Sequence, residues 1–248
     1  IMIEWSKAND PEYIKGVNLP SNMLYKKMLE SASFLLNDNN LLLKANKIKT
    51  YILKNCRQGN FFVDNLLRDK DNNLLKTSNI SETCQYYAFN FLLDKKEDES
   101  FFNLLVEKFG PNRDYEKVYP KICKSNVFIG DYLRLIILLK NGYNQKVYDE
   151  TISYFYKMAT ITGTLWEHDS TFASLNHGFA SYILNIIIYA TFGIKDIDFS
   201  SKTIYLNSTP LKIKAEVSFN IKNNCLNFKN DNGVIRITQK NNEFKIIY

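Results

Sequence analysis

The sequence predicts a mainly α-helical protein with a C-terminal all-β domain. Two changes of pattern predict it. Up to Gly193 apolar residues recur at the three-to-four-residue spacing of helices, and after it they alternate with polar residues, the spacing of strands. Within the first part, very apolar helices alternate with amphipathic ones, as expected where inner helices are wrapped by outer ones. The boundary read from these patterns puts a helical domain at residues 1–195 and a small antiparallel β domain at 196–248.

Ser21 is expected to cap a helix reaching about Asn37, with Leu24, Met28, Leu29, Ala32 and Leu35 on one face. A second helix follows from about Leu41 to Asn55. "GNFFVDNLLRDKDNN" reads as irregular and ends in the turn residues Asp71 to Asn73. Ser81 and Glu82 open an aromatic helix, "ETCQYYAFNFLL". A helix from Glu99 to Phe109 stops at Gly110-Pro111. "NVFIGDYLRLIILLKNG" is strongly apolar and closed by Gly142, "KVYDETISYFYKMA" pairs with it, and "FASYILNIIIYATFG" is closed by Gly193. The strands are read in "KTIYLN", "LKIKAEVSFNIKNNCLNFKN", "GVIRITQKN" and "EFKIIY", with turns at Asn223-Asn224, Asp231 to Gly233 and Asn241-Asn242.

Composition narrows the function classes. Of the 248 residues, 45% are hydrophobic and 23% charged, enough apolar material for a core. The net charge of +6 comes from scattered lysines, and no basic run alternates with aromatics, so nucleic acid is not indicated. Cys56, Cys84, Cys123 and Cys225 are isolated, which argues against a zinc ribbon or redox motif and for free thiols. The longest apolar run, Tyr182 to Phe192, is too short to cross a bilayer, so no membrane partner is expected. No signal peptide is visible, which favours a cytoplasmic location, and no cofactor is implied.

One stretch gathers the rarest side chains. "TLWEHDSTFASLNHG", Thr164 to Gly178, holds both histidines and one of the two tryptophans. Glu167, between Trp166 and His168, could serve as a general base if apolar neighbours tune it. Trp166 offers a flat face for a sugar ring, and His177, starting a helix, can donate to a hydroxyl. On spacing alone, a plain helix connection with a packed Trp166 and a solvated Glu167 comes first. Metal binding by His168, Asp169 and His177 lacks a ligand signature and ranks last, so no metal is expected.

"TGTLWEH" followed by "SLNHGFAS" and an apolar helix ending in "FGI" resembles the last helical hairpin of bacterial α-L-rhamnosidases, glycoside hydrolase family 78 of the six-hairpin glycosidases. The match is carried by Thr164, Trp166, Glu167, His168, Ser174, Asn176, His177 and Gly193-Ile194. Asp169 departs from it, because a Trp is commoner there. "IEW" at Ile3 to Trp5, "GVNLPSNMLYKKML" and "SETCQYYAFNFLL" resemble the preceding hairpins, so the resemblance spans essentially the whole chain.

The resemblance implies a partial (α/α)6 toroid followed by an antiparallel β-sandwich. It implies inverting hydrolysis of a terminal α-L-rhamnosyl or related sugar, with Glu167 as general base. Such a base faces a general acid across the sugar, with roughly 6.5–9.5 Å between the carboxyls. The family's acid segment, Arg-Glu-x-x-Gly-Trp-x-x-Asp, is not found here. The chain is therefore expected to be the C-terminal region of an enzyme or a non-catalytic carbohydrate-binding or scaffold relative. Its expected partners are a carbohydrate and either a second copy or the missing N-terminal region of the same protein. Glu4 and Trp5 resemble an acidic-Trp pair lining the sugar pocket, or else form a frayed terminus. Glu82 is read either as a sugar contact or as a capping residue. Asp64 and Arg68 are read as a surface pair, and Asp131 and Arg134 as a structural pair on a buried helix face.

Overall fold

The computed structural model of the chain describes residues 3, 6–207, 209–221, 224–241 and 243–248. Glu4 and Trp5, and the expected turn residues Asn223 and Asn242, lie outside them. The chain forms two compact units that interleave in sequence. Ile1–Arg134 join Trp166–Asn176 in the first, and Leu135–Leu165 join His177–Tyr248 in the second.

The first unit opens with a short helix α1 (Pro11–Ile14) and a two-residue strand β1 (Val17–Asn18). Helix α2 (Leu19–Leu36) follows directly. Its cap is Asn18, whose Oδ1 accepts from the Ser21 amide at 2.9 Å, rather than the expected Ser21. Asn18 is extended because it ends β1, and Pro20 fits the first helical turn, so the helix starts earlier than Ser21 implies. Asn37, at φ 53°, ends α2, and Asp38 caps α3 (Asn39–Asn55), which packs back along α2.

The stretch expected to be irregular carries short strands instead. β2 (Arg57–Gln58) and β3 (Phe61–Phe62) form a hairpin, and β4 (Asn65–Arg68) lies between β1 and β5 (Leu74–Lys76). Strands of two to four residues are too short to show a period of two. The turn at Asp71 to Asn73 is present, with the Asp69 carboxylate accepting from both amides at 2.9 and 2.8 Å. Asp64 and Arg68 do not form a surface pair. Asp64 is fully buried and accepts from the Ser81 amide and hydroxyl, each at 2.6 Å, whereas Arg68 binds Asn72. Successive strand residues face opposite sides, but Asp64 precedes β4, and its side chain turns inward to the start of the next helix.

That helix, α4 (Glu82–Phe91), is capped by Ser81 as expected, with the Cys84 amide 3.1 Å from Ser81 Oγ. Almost all of it is buried, and it packs on α2. Helix α5 (Glu99–Lys108) is capped by Asp98 and ends before Gly110. The apolar helix then begins as a π-helical turn, Val127–Asp131, and continues as α6 (Tyr132–Lys140).

In the second unit, α7 (Asn144–Thr151) runs through a π-helical stretch, Ile152–Tyr156, into α8 (Lys157–Thr162). A 3-10 turn, Gly178–Tyr182, leads into α9 (Ile183–Phe192), which packs on α7. Helix gives way to strand across Gly193, whose φ of 65° closes α9. β6 (Ile194–Asp198) pairs antiparallel with β7 (Thr203–Leu206). β8 (Lys214–Ile221), β9 (Asn224–Asp231) and β10 (Val234–Gln239) form an antiparallel meander. The last strand, β11 (Lys245–Ile247), lies parallel to β7, against the wholly antiparallel expectation. The reason lies in the link from β10. The Gln239 side chain binds the Phe244 amide and carbonyl at 2.8 and 2.7 Å, which turns the chain onto the other sheet. Both of these three-stranded sheets feed one core, where Ile194, Ile204 and Leu206 meet Leu226, Phe228 and, from α9, Phe192. Among the described residues no helix is long and apolar enough to cross a membrane.

Candidate functional site

The loop that holds the rare residues is built by local hydrogen bonding. Gly163, in the left-handed region at φ 73°, ends α8 and starts the turn. In the second unit the His177 amide donates to the Leu165 carbonyl at 2.9 Å. His177 Nδ1 accepts from the Phe179 amide at 3.3 Å and so caps the 3-10 turn, as its position at a helix start implies.

In the first unit Trp166 is buried, 1% exposed, and Glu167 beside it is half-buried. The Glu167 amide donates to the Ser174 carbonyl at 2.8 Å, and the Ser174 amide donates back to Glu167 Oε2 at 3.3 Å. The carboxylate is thereby held across the loop it starts. His168 Nδ1 lies 2.8 Å from Asp169 Oδ1 and 2.9 Å from Ser170 Oγ, with its ring 4.2 Å from Phe172. Asp169 Oδ2 pairs with Lys124, and the Asp169 amide donates to Asn126 Oδ1 at 3.2 Å. Burial holds the His168 pKa below its usual value; Lys124 acts the same way, while Asp169 and Glu167 oppose it. A neutral ring with Nδ1 beside Asp169 donates there and leaves Nε2 as an acceptor.

The segment that anchors the loop also touches a buried ionic cluster. Glu82, the first residue of α4, has no exposed surface. Its Oε1 lies 2.9 Å from Arg113 Nε, and its Oε2 accepts from the Tyr86 hydroxyl at 3.0 Å. The Ser125 hydroxyl sits between two carboxylates, 3.0 Å from Asp131 Oδ1 and 3.4 Å from Glu82 Oε2. Arg113 also donates to the Ile122 carbonyl at 2.7 Å and stacks over Tyr115 at 4.3 Å. Arg134 donates to the carbonyls of Leu105 and Val106 at 2.8 and 3.2 Å. Gly110 makes room for it: a Cβ there would stand 2.5 Å from Arg134 Nε. Burial raises the Glu82 pKa, and the Arg113 and Arg134 guanidiniums pull it back. Tyr115 is pushed up by burial, with Glu82 and Asp131 adding to the effect.

The structure therefore places Trp166, Glu167 and His168 together in the first unit and links their loop to Lys124 and Asn126. It places Glu82 in the same unit but tied to Arg113, and Asp131 and Arg134 among polar partners in the core. His177 belongs to the second unit. Sequence reasoning does not single out Arg113, Tyr115, Lys124 or Ser125. The one signal for Arg113 is indirect, since a buried Glu82 requires a cation.

By sequence, no protein-family model and no curated protein matches the chain. Its fold is similar to that of a GH78 family rhamnosidase of Bacillus sp. GL1, with a TM-score of 0.79 over 98% of this chain and 13% identity. The chain spans 27% of that structure's length. At such identity the likeness is one of fold alone.

Proposed function

We propose that the chain is the C-terminal portion of an inverting α-L-rhamnosidase-like glycoside hydrolase, with Glu167 as its general base. The observation that carries this reading is the fold likeness to a GH78 rhamnosidase over 98% of the chain, joined to the Trp166-Glu167 pair in the loop. A half-buried carboxylate beside a buried aromatic, oriented by the Ser174 amide, suits the activation of a water. In this reading the helices belong to a partial (α/α)6 toroid over 1–195, and the two sheets form a β-sandwich over 196–248. His168 is then a sugar contact beside Glu167, while Trp166, 1% exposed, supports the loop from within and offers no open face to a sugar ring. Glu82, fully buried and paired with Arg113, is a structural residue in this reading and not a sugar contact.

The general acid comes from a further region of the same protein or from a partner chain. Apolar side chains exposed at the α2–α3 turn, Phe34, Leu35 and Leu36, suit such an interface. A second reading, a carbohydrate-binding relative without hydrolysis, is favoured by one observation. Glu82, another carboxylate considered for sugar contact, is committed to Arg113. The test is Glu167→Gln in the full-length protein, assayed on an aryl rhamnoside. Loss of a general base should lower turnover by about 10²–10⁴-fold while sugar binding persists. Unchanged turnover would overturn the role of Glu167. Sugar binding without hydrolysis in the wild type would select the second reading.

A further inference from the structure

The second unit holds a cavity of about 760 Å³ that the functional reading does not use. This is the size of an ordinary small-molecule site. It opens between α6, α9 and the strands β6 and β8. Its floor is aliphatic: Leu139 and Ile186 are buried there, and Ile197 is half-buried. Its walls are aromatic, from Tyr189, Phe219 and Phe199, the last of them 59% exposed at the mouth. Lys140 and Lys195 stand at the lining against a single acid, Asp196.

The hydroxyls of Tyr182 and Ser218 and the amides of Asn185 and Asn220 complete the lining. The aliphatic and aromatic side chains give an apolar body a surface to cover, and two lysines against one carboxylate give an acidic group a cationic side. We propose that this cavity is a binding site for a small amphipathic carboxylic acid, with its aryl or alkyl body on the floor and its carboxylate toward Lys140 and Lys195. Tyr189 supports the polarity of this end. Burial and the nearby Asp196 keep its phenol protonated, so its hydroxyl is available as a donor. The inference is independent of Glu167 and of any hydrolysis.

The experiment is calorimetric titration of the protein with 1-naphthoate and with its neutral counterpart, 1-naphthamide. The expected result is saturable naphthoate binding, with the amide about three- to tenfold weaker because it lacks the charge. Lys195→Glu should abolish that preference, and Phe199→Ala should weaken both ligands. Both positions are exposed, so folding is not at stake, and an unchanged unfolding midpoint verifies it. No saturable binding of naphthoate would overturn the proposal. So would equal affinity for acid and amide, or binding that neither variant changes.

Discussion

Asp64→Asn should remove a pH dependence of stability that the wild type carries. Asp64 has no exposed surface and receives two hydrogen bonds of 2.6 Å from Ser81. Burial outweighs these bonds and pushes its carboxyl from an ordinary 3.8 up to about 7. Between those values the folded chain holds a proton that the unfolded chain releases. The sign follows: stability falls as pH rises through this window, and above it a constant cost of burying the anion remains. A tenfold change in a proton-binding equilibrium is worth about 1.4 kcal/mol, so from about pH 5 to about pH 8 the wild type should lose about 2–3 kcal/mol through this group. Asparagine keeps the shape of the protonated acid and cannot ionise. Urea unfolding of both proteins at the two pH values gives the comparison directly. The wild type should be the less favoured of the pair at high pH by that margin. A difference between the two proteins that is the same at both pH values would refute the reasoning.

Arg113→Met should destabilise by about 3–5 kcal/mol, because it strands Glu82 without its cation, and adding Glu82→Gln should recover much of the loss; denaturant unfolding of the four proteins measures the coupling. Asn230→Ala should cost about 2–4 kcal/mol, since the Asn230 amide group bridges the carbonyls of Thr191 and Leu211 at 2.6 and 2.8 Å and its oxygen accepts from Gly233 at 2.8 Å. A thermal unfolding midpoint that does not move would count against those bonds. Asp169→Asn should shift the His168 titration to still lower pH, because Asp169 is the larger of the two charges that raise it. The ring C–H resonance followed by NMR reads this, and an unshifted midpoint would show that the two side chains are not in contact in solution.

The long elements are legible because each carries its own period and its own stop. Ser81 before Glu82, Gly142 and Gly193 mark their helix ends in the sequence and in the fold. Asn18 is hidden as a cap because its extended backbone depends on β1, a strand of two residues. The π-helical turns at Val127–Asp131 and Ile152–Tyr156 leave no trace in apolar spacing. At the site, the clustering of Trp166, Glu167 and His168 is a property of sequence and is visible as such. The grip of Lys124 and Asn126 on Asp169, and of Arg113 on Glu82, joins residues far apart in the chain. Such pairs have no local signature, and a lone Lys or Arg reads as surface until the fold brings it inside.

The pinning of the loop also bears on how this region can change over generations. His177 to Leu165 and Ser174 to Glu167 close the segment by backbone bonds made within the loop itself. Its outermost residues do not hold the closure, and Phe172 at the tip is 77% exposed. Lengthening a closed surface loop costs only about 0.6 kcal/mol per doubling. Insertions near Phe172 are therefore cheap, while the carboxylate at the base of the loop stays where it is. Relatives can diversify what the tip touches without rebuilding the position of Glu167.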